Sequence, residues 1–308
     1  MNSKFASYVL KRFLMAILTI FLVIAITFFV MHAIPASPFS SEKAKSDATI
    51  AALEAKYGFD KPLPVQFLNY LKGILQGDFG LSTKWVGSTV IDLIMGGFSY
   101  SARLGLGAAS LAIILGVILG AIAALNRGKF VDKIIQVVTT ALVSMPSFVI
   151  ATLLLIVFAL QLKWLPTMAN QPGGMILPMI SLSLYPMAYI TRLTRSSMLD
   201  VLGQDYIRTA RAKGVPGFKV IFGHALKNSL IPVITYFGPM LAYIVTGSIV
   251  VEQIFAVPGI GRAFVNSITG RDYPLIMGTT IILACLIIIM NLVSDLLYKI
   301  VDPRIELD

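Results

Sequence analysis

Two histidines and one cysteine are all the imidazole and thiol chemistry that 308 residues offer. His32 and His224 stand far apart in the chain, so no ligand cluster or acid–base pair forms around them, and each reads as a structural residue. Cys285 lies inside an apolar run, which excludes an intrachain disulfide and leaves packing as its role. Charge is scarce as well: 13% of residues carry it, where soluble domains carry about 25%. A phosphate-cradling loop is missing. The G-x-x-x-x-G-K-[ST] pattern is approached only at Gly128-Lys129, with Ala123 in place of the first glycine and Phe130 at the last position. The chain binds no ATP by that route.

What fills the chain instead is apolar. Hydrophobic residues make up 57% of it and the mean hydropathy is +0.84. Lipid cannot satisfy backbone amides, so a spanning segment must be a helix of about 20 residues or part of a closed barrel. The long runs here predict an all-α integral membrane protein with about six transmembrane helices, near 13–31, 99–125, 134–162, 176–191, 231–254 and 275–298. The fourth is the shortest and holds Pro178 and Pro186.

The net charge of +10 is not a nucleic-acid footprint, because its lysines and arginines flank the apolar runs. One alternate set of short segments holds fifteen of them between Lys4 and Arg304, and the other holds Lys163, Arg262 and Arg271. By the positive-inside rule both termini are expected in the cytoplasm. The first run is longer than the apolar core of a signal peptide and reads as an uncleaved helix. Three segments are expected: 1–95 with the first span and an extracytoplasmic stretch, 96–298 as the main membrane domain, and 299–308 as a cytoplasmic tail.

Local patterns refine this picture. Lys61-Pro62-Leu63-Pro64 precedes an amphipathic stretch and predicts a short helix after a proline start. Gly77-Asp78-Phe79-Gly80 reads as a turn. Ala112, Gly116, Gly120 and Ala124 recur every four residues and predict close helix packing. Ionisable residues are nearly absent from the apolar runs; Arg103, Glu252 and Asp295 lie near span ends, as interfacial anchors, local ion pairs or groups with a role in passage or gating.

Two candidate sites emerge. Between spans four and five, residues 192–230 contain Asp205, Tyr206, Arg208, Ala210 and Arg211 on a short helix, then Gly214, Val215, Pro216 and Gly217 as a stop. Gly214 can take the left-handed conformation that ends a helix. Phe218 to Leu230 is again helical in pattern, with Val220, Ile221, Ala225 and Leu226 on one side and Lys219 and Lys227 toward water. The segment is either a compact knob or a solvated basic loop that anchors the spans. The second candidate is a polar and aromatic stripe, Tyr236, Pro239, Tyr243 and Thr246 on span five, with Ser144, Pro146 and Ser147 on span three. A translocation path and core packing explain it equally well.

The loop resembles the EAA loop of bacterial ABC importer permeases, E-A-A, three residues, Gly, nine residues, I-x-L-P. On that alignment Ala210, Gly214 and Leu226 match, while Arg208-Thr209, His224 and Lys227 depart. Asp205 to Gly214 and His224 to Asn228 are closer to the variant of peptide and nickel permeases, D-Y-I-R-T-A-R-A-K-G with a later H-A-L-x-N. Gly77–Gly80, Val251–Phe255 running to Pro258–Gly261, Arg271–Pro274 near Gly278, and Asp302–Ile305 are similar to the same family in the same order. Pro38 to Lys43 look most like the B subunit of oligopeptide permeases, with dipeptide and nickel relatives close.

That resemblance implies the type I ABC importer (MetI-like) permease fold in a bacterial cytoplasmic membrane. It also implies a homologous second permease, two ABC ATPase subunits that use ATP and Mg, an extracytoplasmic peptide-binding protein and a peptide substrate. No cofactor is expected on this chain, and no catalytic residue. Residues 205–217, with His224, Leu226 and Asn228, would then form the coupling helix that docks on an ATPase. Rival classes are an ATPase-independent secondary transporter, which the few buried charges disfavour, and a membrane sensor or assembly factor.

Overall fold

A computed structural model describes residues 3–33, 54–55, 58–85 and 87–301, and their side chains except 3–9, 245–247 and 294–301. The described chain is helical, with one isolated antiparallel bridge between Leu81 and Thr89. Among the described residues four helices are long and apolar enough to cross a bilayer: α1 (Ser3–Ala33), α3 (Val90–Leu125), α6 (Ile176–Leu202) and α11 (Tyr273–Val301). Two bent pairs raise the number to six if each counts as one span. They are α4 (Phe130–Ser144) with α5 (Ser147–Leu154) and its π-helical continuation Leu155–Gln161, and the two halves of α9 (Ile231–Ile254).

The third apolar run therefore differs from its expected form. It breaks at Met145-Pro146 and turns by 107°. Pro146 supplies no N–H and pushes its predecessor out of the helical region, and Met145 accordingly sits at φ −88, ψ 132. The fourth run differs at its end. Pro178 falls in the first turn, Pro186 is accommodated inside, and the helix continues to Leu202, so Arg192 and Arg195 are helical rather than part of a loop.

Two compact units make up the fold. The first comprises Met1–Ser101 and Pro258–Ile288. Here α2 (Leu63–Leu75) starts behind Pro62, as the Lys61–Pro64 pattern predicts, and lays Phe67, Tyr70, Leu71 and Ile74 against a core of Ile24, Val90, Ile94, Leu275 and Ile281. The Gly77–Gly80 turn does more than reverse the chain: Phe79 is one of that core's buried side chains. Gly278 faces Val90 so closely that a Cβ would stand 2.5 Å from it. Cys285 packs on the edge of the same core. His32 stacks on Phe28 with centroids 4.1 Å apart, and its Nε2 lies 3.0 Å from Gln66 Oε1.

A buried carboxylate closes this unit. Asp272 precedes α11 and accepts hydrogen bonds from the Ser82 hydroxyl, the Thr83 backbone N–H and hydroxyl (both 3.2 Å) and the Leu275 N–H at 3.4 Å. Arg271 takes φ +56 at the end of α10 (Ile260–Gly270) to make that turn.

The second unit comprises Ala102–Val257 and Ile289–Asp308. The small-residue seam of α3 is buried throughout at Ala112, Gly116, Gly120 and Ala124. It meets α6: a Cβ on Gly116 would lie 2.8 Å from Ile190 Cβ, and one on Gly120 would lie 2.6 Å from the Thr191 carbonyl and Thr194 Cβ. Only hydrogen at these positions permits that approach. A second buried carboxylate, Asp132, joins the first turn of α4 to α6. Arg195 donates to it through Nε at 2.7 Å and a terminal guanidinium N–H at 2.8 Å, the Gly128 N–H donates at 2.8 Å, and Gln136 Nε2 donates at 2.9 Å.

Candidate functional site

The hairpin after α6 is built by its own sequence. Gln204 is extended (φ −74, ψ 150), and α7 (Asp205–Ala212) starts at the next residue, with the Asp205 carboxylate at the positive end of the helix. Its 3.4 Å pairing with Arg208 is exposed and contributes little. The stop follows from Gly214 at φ +76. The Gly214 N–H returns to the Arg211 carbonyl at 3.0 Å and the Val215 N–H to the Ala210 carbonyl at 3.2 Å, the paired bonds of a Schellman motif. Val215 and Ala210, its apolar pair, both rest on the core beneath. A valine at 214 would be strained at that φ although nothing lies within 4 Å of the Cβ position.

Pro216 restarts the chain as α8, helical from Gly217 to Lys219, π-helical over Val220–Leu226 and helical again over Lys227–Ser229. The expected sidedness is observed. Ile207, Val220 and Ala225 are buried with Met198 of α6 and Ala124 of α3, Ile221 and Leu226 are half-buried, and Lys219 and Lys227 are exposed. Asn228 Nδ2 donates to the Tyr206 hydroxyl at 3.0 Å, tying α8 back to α7.

The outward surface carries Tyr206 (43% exposed), Phe218 (70%) and Phe222 (51%), the last two with ring centroids 4.5 Å apart. Arg208, Arg211, Lys213, Pro216, Gly217 and His224 are exposed on the hairpin as well. An apolar underside sunk into the unit and an aromatic, cationic outer surface make a protrusion suited to protein contact. The two phenylalanines are legible as residues, but their pairing arises from the helical register.

The polar stripe resolves into two aromatic pairs between α6 and α9. Tyr243 faces Tyr185 with centroids 4.7 Å apart, and Tyr236 faces Tyr189 at 4.3 Å. The Tyr243 hydroxyl also lies near the Ser147 side chain, just past the Pro146 break. Ser144 instead returns its hydroxyl to the Thr140 carbonyl at 2.9 Å, and Pro239 is exposed on α9. The side chain of Thr246 lies outside the described residues. Tyr185 and Tyr189 are the members of the stripe that sequence patterning does not single out; their spacing of four on span four is the available signal. Among the described residues no group of three or more His, Cys, Asp or Glu could hold a metal ion.

Comparison with known proteins places the chain as a whole. The family described as "Binding-protein-dependent transport system inner membrane component" matches residues 116–307, and its N-terminal counterpart matches residues 5–95. The chain is 48% identical over 303 residues to the dipeptide transport system permease protein DppB of Bacillus subtilis, covering 98% of each chain. It is 46% identical over 302 residues to the oligopeptide transport system permease protein OppB of Salmonella typhimurium, covering 97% of this chain and 99% of the relative. Among solved structures, a chain of the inward-facing MetNI methionine ABC transporter superposes with a TM-score of 0.55 at 14% identity, covering 69% of this chain and 97% of that one. A chain of an amino acid ABC transporter gives 0.52 at 17% identity, covering 70% and 95%. At such identities these two show the fold, and it is that of ABC importer permeases.

Proposed function

The chain belongs to the family of binding-protein-dependent transport system inner membrane components, and from that premise we propose that it is one permease subunit of an ATP-driven oligopeptide importer. Identity of 46% to an oligopeptide permease over nearly the whole length supports the cargo. Dipeptides are the second reading, favoured by the 48% identity to a dipeptide permease.

The observation that carries the reading is the hairpin of α7 and α8: a rigidly stopped helix with exposed tyrosine, phenylalanine and arginine, on a chain without a phosphate-binding loop of its own. It serves as the handle on which a separate ATPase subunit docks. In the working assembly this subunit pairs with a homologous permease, two such ATPases supply ATP and Mg chemistry, and an extracytoplasmic binding protein delivers peptide. Closure of the ATPases drags the two hairpins together and turns the permeases outward.

The lysine and arginine distribution supports cytoplasmic termini and a cytoplasmic hairpin. Residues 1–95 form the first crossing and an outer segment, 96–298 the transport domain, and 299–308 a cytoplasmic tail. The tyrosine pairs of α6 and α9, with Ser147, form part of the passage wall. Such a wall binds cargo weakly, and selectivity rests with the binding protein.

The test is peptide uptake in a strain lacking the gene, with and without restoration, and with the ATPase partners inactivated in a third strain. Uptake restored by the gene and abolished by ATPase inactivation is the expected result. Uptake that persists without working ATPases would instead identify a self-sufficient transporter.

A further inference from the structure

On the importer reading, a pull on the hairpin must reach the helices beside the passage, and α6 is the element that touches both. Its last turns carry three consecutive attachments. Thr194 is buried against Gly120 of α3, Arg195 reaches Asp132 at the start of α4, and Met198 sits in the core beneath the hairpin. The first and third are packing contacts that include no directional bond. The second has fixed geometry, because a guanidinium and a carboxylate meet as two parallel hydrogen bonds in one plane.

Asp132 is also held from its own side. Gly128 donates to Oδ2 and Gln136 to Oδ1, so each oxygen receives one bond from α6 and one from the segment around α4. The carboxylate is 1% exposed and the arginine 22%. An arginine there serves the positive-inside rule by charge alone, and a lysine would do so equally well. The two-pronged guanidinium matches the two oxygens of the buried carboxylate on α4, as a single ammonium does not.

We propose that Arg195 and Asp132 are positioning residues for energy coupling: a rigid strut that makes the start of α4 follow α6 when the hairpin is pulled. The motion then continues along α4 to the Pro146 break and Ser147, whose side chain lies near Tyr243 on α9. Without the strut, the hairpin end of α6 moves while α4 and α5 lag, and ATP is hydrolysed with little peptide moved.

The experiment uses the assembled complex in lipid vesicles with its binding protein, comparing wild type, Asp132→Asn, Arg195→Lys and the Asp132→Asn/Arg195→Gln double variant. Assembled complex, basal ATPase, peptide-stimulated ATPase and uptake are measured. Each single variant is expected to assemble and to retain basal ATPase, while uptake per ATP hydrolysed falls roughly fivefold or more. The double variant should be no worse than either single one, because both remove the same link. Two results would overturn the strut: unchanged uptake per ATP, or a fall in uptake that merely tracks the amount of assembled complex. If wild type itself shows neither stimulation nor uptake, the importer reading falls, and this inference with it.

Discussion

Two buried aspartates anchor the two units, and they are buried by different means. Asp272 is saturated by hydroxyl and backbone donors, three of them on the loop at Ser82-Thr83 and one, the Leu275 N–H, in the first turn of α11. Asp132 is saturated by a bidentate guanidinium plus one backbone and one amide donor. The first arrangement is a knot, with neutral partners and short, stiff connections. The second is a tie between two helices through a long side chain that still reaches water. A knot fixes a loop, whereas a tie lets two long elements bear load together.

Replacing the knot should have the largest effect on stability. Asp272→Ala strands the Ser82 and Thr83 donors in a buried site, at about 1–3 kcal/mol for each unsatisfied group. The amount of folded permease extracted from membranes should fall severely, together with its melting temperature. Near-normal yield and melting would show that the knot is dispensable. Asp132→Asn should cost less, on the order of 2 kcal/mol, because the asparagine carbonyl oxygen still accepts two bonds and Arg195 can turn its head to water. If the two substitutions destabilised equally, the distinction between knot and tie would fail.

The hairpin sharpens the contrast from the other side. Gly214→Val adds backbone strain of about 1–3 kcal/mol at an exposed turn, so melting should shift modestly. Transport and peptide-stimulated ATPase should nonetheless drop by about tenfold, since the coupling surface changes shape. Stimulation at the wild-type level in reconstituted vesicles would remove the hairpin from the mechanism. Smallest of all, Tyr243→Phe deletes one hydroxyl near Ser147, which contributes at most one hydrogen bond of about 1 kcal/mol. Uptake should change by no more than about fivefold, the equivalent of that one bond, and a complete loss would mean that the hydroxyl does more than line a wall.

The features that can be read from the sequence are local ones. Gly214 before Pro216 announces a helix stop whatever surrounds it, and the four-residue recurrence from Ala112 to Ala124 announces a seam. Both depend on residues within one or two turns. The Arg195–Asp132 tie crosses 63 positions, and its arginine has a sufficient reason to be there as a topological charge. The break at Pro146 is hidden in a run whose apolar residues continue past the proline, so composition argues for a straight span while one imide nitrogen argues against it. Tyr185 and Tyr189 do not stand out in the sequence because their partners lie on another helix. Pairing across helices is a property of the bundle, and one chain read linearly does not display it.

Two glycines described above exclude other residues for opposite reasons. At Gly120 the neighbouring helix leaves no volume, so every side chain is refused regardless of its conformational taste. At Gly214 the surroundings are open and only handedness is restricted. Asparagine, which tolerates the left-handed region, could therefore stand at the second position and never at the first.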